Sequence, residues 1–192
     1  MSFKNMIISA LAIVISLGIT AQVHASGQTH TVKEGESLYK IGVQYGVSVV
    51  DLKEANDKEN NMIMTGETLT IPATITASEK DLLARLVEAE AKGEPYSGKV
   101  AVAAVVLNRV DSDLFPDSIH GVIYDGYQFS PVLNGTINQP ASEESKHAVE
   151  EALAYHGLGH GSLFFYNPDK ADSSYLESRE VTTIIGDHVF SR

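Results

Sequence analysis

Residues 88–109 read EAEAKGEPYSGKVAVAAVVLNR, and this stretch joins two helices of unlike character. Upstream, Leu82, Leu83, Leu86 and Val87 mark the buried stripe of a helix that the Ser78-Glu79-Lys80-Asp81 capping box opens. Glu90 lies four residues after Leu86 and seven after Leu83, so it extends the apolar stripe, whereas Glu88 points elsewhere. A carboxylate on a buried face costs free energy unless it is paired or protonated, and burial raises its pKa. A general acid needs that environment. A solvated glutamate in a last helical turn satisfies the same spacing. Gly93 and Pro95 break the helix, and Ser97 caps the next, Gly98 to Arg109. Its Val100–Leu107 segment is apolar on every side and belongs at the centre of a fold.

Toward the C-terminus, Pro140 and Ser142 open a helix that runs through Glu151 to Tyr155, and Gly157, Gly159 and Gly161 end it. Leu163–Tyr166 is a strand, and Thr182–Ile185 with His188–Phe190 form a hairpin about Gly186-Asp187. Helix comes first and sheet last, so residues 78–192 form an α+β domain. Toward the N-terminus, residues 29–73 make a small β-α-α-β unit. Its strands are Thr31-Val32-Lys33 and Leu69-Thr70-Ile71. Ser37 caps a helix carrying Leu38, Ile41 and Tyr45 on one face, with Gly46 at its end. Ser48 and Asp51 start a second helix that leads to Asn56. Residues 74–77 form a short extended linker. Residues 1–25 carry Lys4, an apolar run from Met6 to Thr20 and a small-residue site before Ser26. That layout predicts a secretory signal peptide, too short to span a bilayer, and a protein free of the membrane after cleavage.

Composition removes several function classes. With 192 residues, 43% hydrophobic and 20% charged, the chain is globular. It has no Cys, which excludes thiolate metal sites, iron–sulfur clusters and Cys nucleophiles. A net charge of −11 provides no basic footprint for nucleic acid. Gly93 and Gly98-Lys99 approach a phosphate-binding loop, but Val100 stands where Ser or Thr must ligate magnesium, and a helix precedes the loop in place of a strand. His156 and His160 are separated by helix-breaking glycines, and neither H-E-x-x-H nor G-x-S-x-G occurs. No metal and no cofactor is expected.

The front unit resembles the LysM module through Thr31–Leu38 (TVKEGESL), Ile41, Gly46, Asn56, Gly66–Leu69 (GETL) and Ile71-Pro72. The resemblance implies binding to N-acetylglucosamine-containing chains in a groove between Gly35–Leu38 and Asn60–Thr65. Gly35, Glu36, Ser37, Asn60 and Met62 are the candidate contacts. The rest of the chain is similar to bacterial cell-wall hydrolases of the spore-cortex-lytic type. The matching segments are Glu88–Arg109, Phe115-Pro116, Gly121–Tyr124, Gln128–Ser130, Phe165–Pro168 and Gly186–Phe190, in family order across 78–192. This implies a lysozyme-like helical core of the lytic-transglycosylase type, peptidoglycan glycan strands as partner, a place in the cell wall or spore envelope, and a catalytic glutamate at Glu90. Ala89 and Lys92 depart from the Gly and Arg common in that family.

Cleaving the β-1,4 bond between N-acetylmuramic acid and N-acetylglucosamine needs a proton on the leaving oxygen and stabilisation of an oxocarbenium-like centre. A hydrolytic muramidase adds a second carboxylate, for which Glu94 is nearest in sequence. A lytic transglycosylase needs one, which then takes the proton of the muramic C6 hydroxyl as a 1,6-anhydro ring closes; the resemblance favours this route. Gln128, Ser130, Tyr166 and Asn167 are candidate sugar-orienting groups, or else turn and core residues. The remaining alternative is a wall-binding protein with an inert lysozyme-like domain.

Overall fold

The alternation in Thr68-Leu69-Thr70-Ile71 places Leu69 and Ile71 on one face, and both are buried in the small front core with Leu38, Ile41 and Leu52. The computed structural model describes residues 28–159, 161–171 and 173–192; the expected signal segment lies outside these residues. Here β1 (Gln28–Thr31) pairs antiparallel with β2 (Thr68–Ile71), Gln28 opposite Ile71 and Thr31 opposite Thr68. The strand ends where Thr31-Val32-Lys33 was expected to begin, because beyond Thr31 the chain turns around Gly66, with Val32 exchanging backbone bonds with Glu67 and Gly66. Ser37 caps α1 (Leu38–Tyr45) by accepting the Lys40 N–H, and Gly46 ends it in the left-handed conformation. Ser48 caps α2 (Val49–Glu54). Asn56 then ties α2 to β2: its Nδ2 donates to Leu52 O and Thr70 O, and its Oδ1 accepts the Thr70 N–H at 2.7 Å.

The helix of the deciding stretch is α3 (Ala77–Glu90), and it starts before Ser78. Thr76 is the cap: its hydroxyl accepts the Glu79 N–H and the Glu79 carboxylate returns to the Thr76 N–H at 2.8 Å. Thr76-x-x-Glu79 outcompetes Ser78-x-x-Asp81 because the longer carboxylate reaches back to the cap amide. α4 (Tyr96–Val110) likewise starts before Gly98, with extended Pro95 and not Ser97 at the cap. No residue from Gly98 to Val110 is exposed, and α4 packs against α3, α7 (Glu143–Tyr155) and the short α5 (Ile119–Ile123). α6 (Ser130–Asn134) and a 3₁₀ turn at Thr136–Asn138 close over α3. The late sheet has the order β3-β5-β4, all antiparallel, from β3 (Phe164–Tyr166), β4 (Val181–Ile185) and β5 (His188–Ser191), with α8 (Ser174–Glu177) between β3 and β4. The α+β architecture is as expected. Among the described residues, no helix is long and apolar enough to cross a membrane.

The front unit rests directly on the second. Gly42 of α1 lies so close to α7 that a Cβ there would meet Ala154 Cβ at 3.3 Å and Val47 O at 2.8 Å. Tyr39 packs on Tyr155 with ring centroids 4.9 Å apart. Lys80 Nζ donates to Tyr45 O at 3.0 Å, and the Thr74 hydroxyl donates to Gly46 O at 2.7 Å. The linker is therefore pinned at its start and helical at its end.

Candidate functional site

The 3.6-residue period that buries Leu83, Leu86 and Val87 carries Glu90, the last residue of α3, to the partly buried end of the stripe. Desolvation pushes its carboxyl up to about 7, and the Ser130 backbone N–H at the start of α6 opposes that shift only weakly. Two residues earlier, Glu88 is driven the other way, down to about 2. The hydroxyls of Ser142 and Ser145 donate to it, together with the Ser142 N–H, and Lys99 adds favourable charge. Glu88 thus ties the end of α3 to the N-terminus of α7 as a fixed anion. One short helical segment holds two glutamates whose pKa values are pushed in opposite directions.

The other sequence candidates separate into open and committed groups. Ser130 is exposed at its side chain while its amide faces Glu90. Gln128 is exposed but oriented from both ends: its Oε1 accepts from Arg109 Nη1 at 2.8 Å and its Nε2 donates to Asp125 at 2.7 Å. Tyr166 is partly buried on β3, opposite Val189. Asn167 is buried, its Oδ1 accepts the Asp169 N–H, and its carbonyl takes Lys170 and Ala171, so it builds the turn after β3. Glu94 is also committed. Its side chain is 7% exposed, Oε2 accepts the Asp187 N–H at 3.1 Å, and Oε1 faces His188 Nε2 at 4.0 Å. It anchors the β4–β5 turn, which leaves little of it to activate a water.

In the front unit the candidates divide in the same way. Glu36 accepts from His30 Nε2 and from Lys33 N–H, both at 2.7 Å, and Ser37 is the α1 cap. Asn60 accepts the Met62 N–H through Oδ1, which shapes its loop. Gly35 is open, with a φ of +78° and no neighbour where a Cβ would lie. Met62 is 75% exposed and is the freest of the five.

Two cavities flank the Gln128-Phe129-Ser130 segment. One, of about 610 Å³, is lined by Arg109, Phe115, Gln128, Phe164, Tyr175 and Arg179 among others. The second, of about 340 Å³, is lined by Arg85, Glu88, Lys92, Ser130, Asn134 and Gln139 with their neighbours. Glu90 lines neither and is joined to both through this segment, since Gln128 borders the first and Ser130 the second. Arg109 was not singled out from sequence. The available signal was a cation continuing the apolar stripe of α4 at Val102, Val105 and Val106, which only a built-in partner allows.

The family pattern of cell wall hydrolases matches residues 93–191, and that of the LysM domain matches 30–72. The chain belongs to the cell wall hydrolase family. It is 38% identical over 138 residues to a spore cortex-lytic enzyme of Halalkalibacterium halodurans, covering 72% of this chain and 42% of that protein. It is 39% identical over 120 residues to the spore cortex-lytic enzyme of Bacillus subtilis, covering 62% of this chain and 39% of the other. This cell wall hydrolase family member thus spans less than half the length of those curated relatives. It is also similar to the solved catalytic domain of the germination-specific lytic transglycosylase SleB from Bacillus anthracis. That likeness has a TM-score of 0.58 at 37% identity and covers 64% of this chain and 100% of the other.

Proposed function

We propose that this chain is a peptidoglycan-cleaving enzyme that acts on the β-1,4 bond between N-acetylmuramic acid and N-acetylglucosamine as a lytic transglycosylase, with Glu90 as its catalytic group. The observation that carries the reading is the Glu90 carboxyl, held protonated to about 7 by burial beside the open Gln128–Ser130 segment. As the acid it gives its proton to the leaving glycosidic oxygen. As the resulting carboxylate it takes the C6 hydroxyl proton while that oxygen closes on C1, so one group serves both halves of the reaction. The engagement of Glu94 with the Asp187 amide favours this route over a two-carboxylate hydrolysis. The fold likeness to a lytic transglycosylase supports it further.

The LysM unit holds the enzyme on the wall, with Gly35, Met62 and the Asn60 loop as the glycan-facing edge, and raises the local substrate concentration at the second domain. The work site is outside the cytoplasm, in cell wall or spore envelope. Mass spectrometry of muropeptides released from purified sacculi tests the reaction. Anhydro-muramic ends are expected. Hydrated reducing ends would indicate hydrolysis, freed peptides an amidase, and no release an inert wall-binding domain.

A further inference from the structure

The larger cavity carries a charge pattern that general acid catalysis does not use. In a chain with a net charge of −11, two guanidinium groups line it, Arg109 and Arg179. Arg109 is 5% exposed and locked: Nε donates to Leu163 O at 2.7 Å and Nη1 to Gln128. Its guanidinium carbon lies 4.7 Å from the Phe115 ring centre, and Asp125, beyond Gln128, is the carboxylate whose charge reaches it. Arg179 sits over Phe164 at 4.1 Å and over Tyr175 at 4.5 Å, donating to the Tyr175 hydroxyl. Among the described residues the arginine ion pairs are Arg85–Asp81 and Arg192–Glu180, and Arg179 is in neither. Two aromatic faces therefore hold a guanidinium fork at a cavity of about 610 Å³.

The cavity is close to the proposed acid. Phe129 is extended, with φ −117° and ψ 113°, so Gln128 at the cavity stands about 7 Å along the chain from Ser130, whose amide faces Glu90. The two sugars of a peptidoglycan strand differ in one respect that a guanidinium can read: the muramic residue carries a lactyl ether ending in a carboxyl group, free or extended by a peptide stem. Aromatic rings suit the apolar face of a sugar, and the fork suits a carboxylate.

We infer that the cavity around Arg179 is a carboxylate-reading subsite that places a muramic residue, through its lactyl or stem carboxylate, next to the scissile bond. This rests on peptidoglycan being the substrate. Arg179 would be the specificity residue and Arg109 the buried support that holds Gln128 and the aromatic wall.

The test measures binding on the full chain carrying Glu90→Gln, so that it reads affinity whether or not Glu90 is the acid. Three soluble strand preparations are titrated by calorimetry: stem-bearing, stem-free with free lactyl carboxylates, and stem-free with those carboxylates amidated. The expected result is at least about tenfold tighter binding of a carboxylate-bearing strand than of the amidated one. Adding Arg179→Gln should bring that ratio to about one, while Arg179→Lys keeps part of it. A preference already present with stem-free strands assigns the lactyl group; one confined to stem-bearing strands assigns the peptide. Equal affinity for acid and amide in the Arg179-containing protein, or a ratio that survives Arg179→Gln at full size, would overturn the subsite. If the Glu90→Gln chain shows the ratio while the parent with Glu90 intact releases no muropeptide, the catalytic reading fails and the subsite stands.

Discussion

Glu88 and Glu90 show how two residues of one type, two positions apart, are given opposite properties by their neighbours. Glu90 meets desolvation with little hydrogen bonding, and Glu88 meets two hydroxyls and an amide at a helix start. The folded pKa of Glu90, about 7, lies above its ordinary 4.5, so the folded state binds this proton more tightly than the unfolded chain. Stability from this group is complete below 4.5 and is lost as pH rises through about 7, by up to about 3 kcal/mol. Glu90→Gln should therefore melt higher than the parent at pH 8 and close to it at pH 4; a difference independent of pH would contradict the burial argument. Glu88 has the opposite sign: its folded pKa of about 2 gives stability above 4.5 that is lost as pH falls through about 2. Glu88→Gln lies on another face from the stripe and keeps the proposed acid. It nonetheless weakens the tie to Ser142 and Ser145, which should cost about 1–2 kcal/mol in urea unfolding at pH 7, the charge part being reduced by solvent. No loss there would show that the α3–α7 tie is dispensable.

At the scale of elements, legibility followed the range of the forces involved. α1 and α7 were readable with their caps, because Ser37 and Ser142 act on amides three residues away and the apolar periods are long. α5, α6 and α8 were not, since helices of four or five residues have no period and are held by what they pack against. Glu90 could be seen from a local stripe. The role of Glu88 could not, with its partners 54 and 57 residues away, nor that of Glu94, whose amide partner is 93 residues on. That last contact makes the β4–β5 turn a sensitive point. Gly186 has a φ of +56°, and a Cβ there would overlap Glu94 Oε2 and lie 2.7 Å from Pro95 Cδ. Gly186→Ala should destabilise the domain by at least about 1 kcal/mol in denaturant unfolding. An unchanged midpoint would mean that Glu94 moves freely and is not the anchor of the hairpin.

On the scale of the whole molecule, the close seat of α1 on α7 joins the LysM unit and the second domain, each with its own core, through a packed interface. Ala154 is fully buried against Gly42, so Ala154→Arg should split a single calorimetric transition into two, the front unit melting first. Two transitions in the parent would contradict cooperative coupling of the two cores through this interface. Met62→Asp at the exposed loop should reduce sedimentation with sacculi while cleavage of short soluble fragments continues. The proposed reaction turns on Glu90 as the acid. The most direct measurement is the pH dependence of anhydro-muropeptide release by the parent and by Glu90→Gln, with folding of both confirmed. The parent's kcat/KM should fall as pH rises through about 7, and the Gln variant should be roughly 10²–10⁴-fold or more slower below that pH, with the gap narrowing above it as the parent's proposed acid loses its proton. A Glu90→Gln protein that folds and releases anhydro-muropeptides at near-parental rate would contradict Glu90 as the acid.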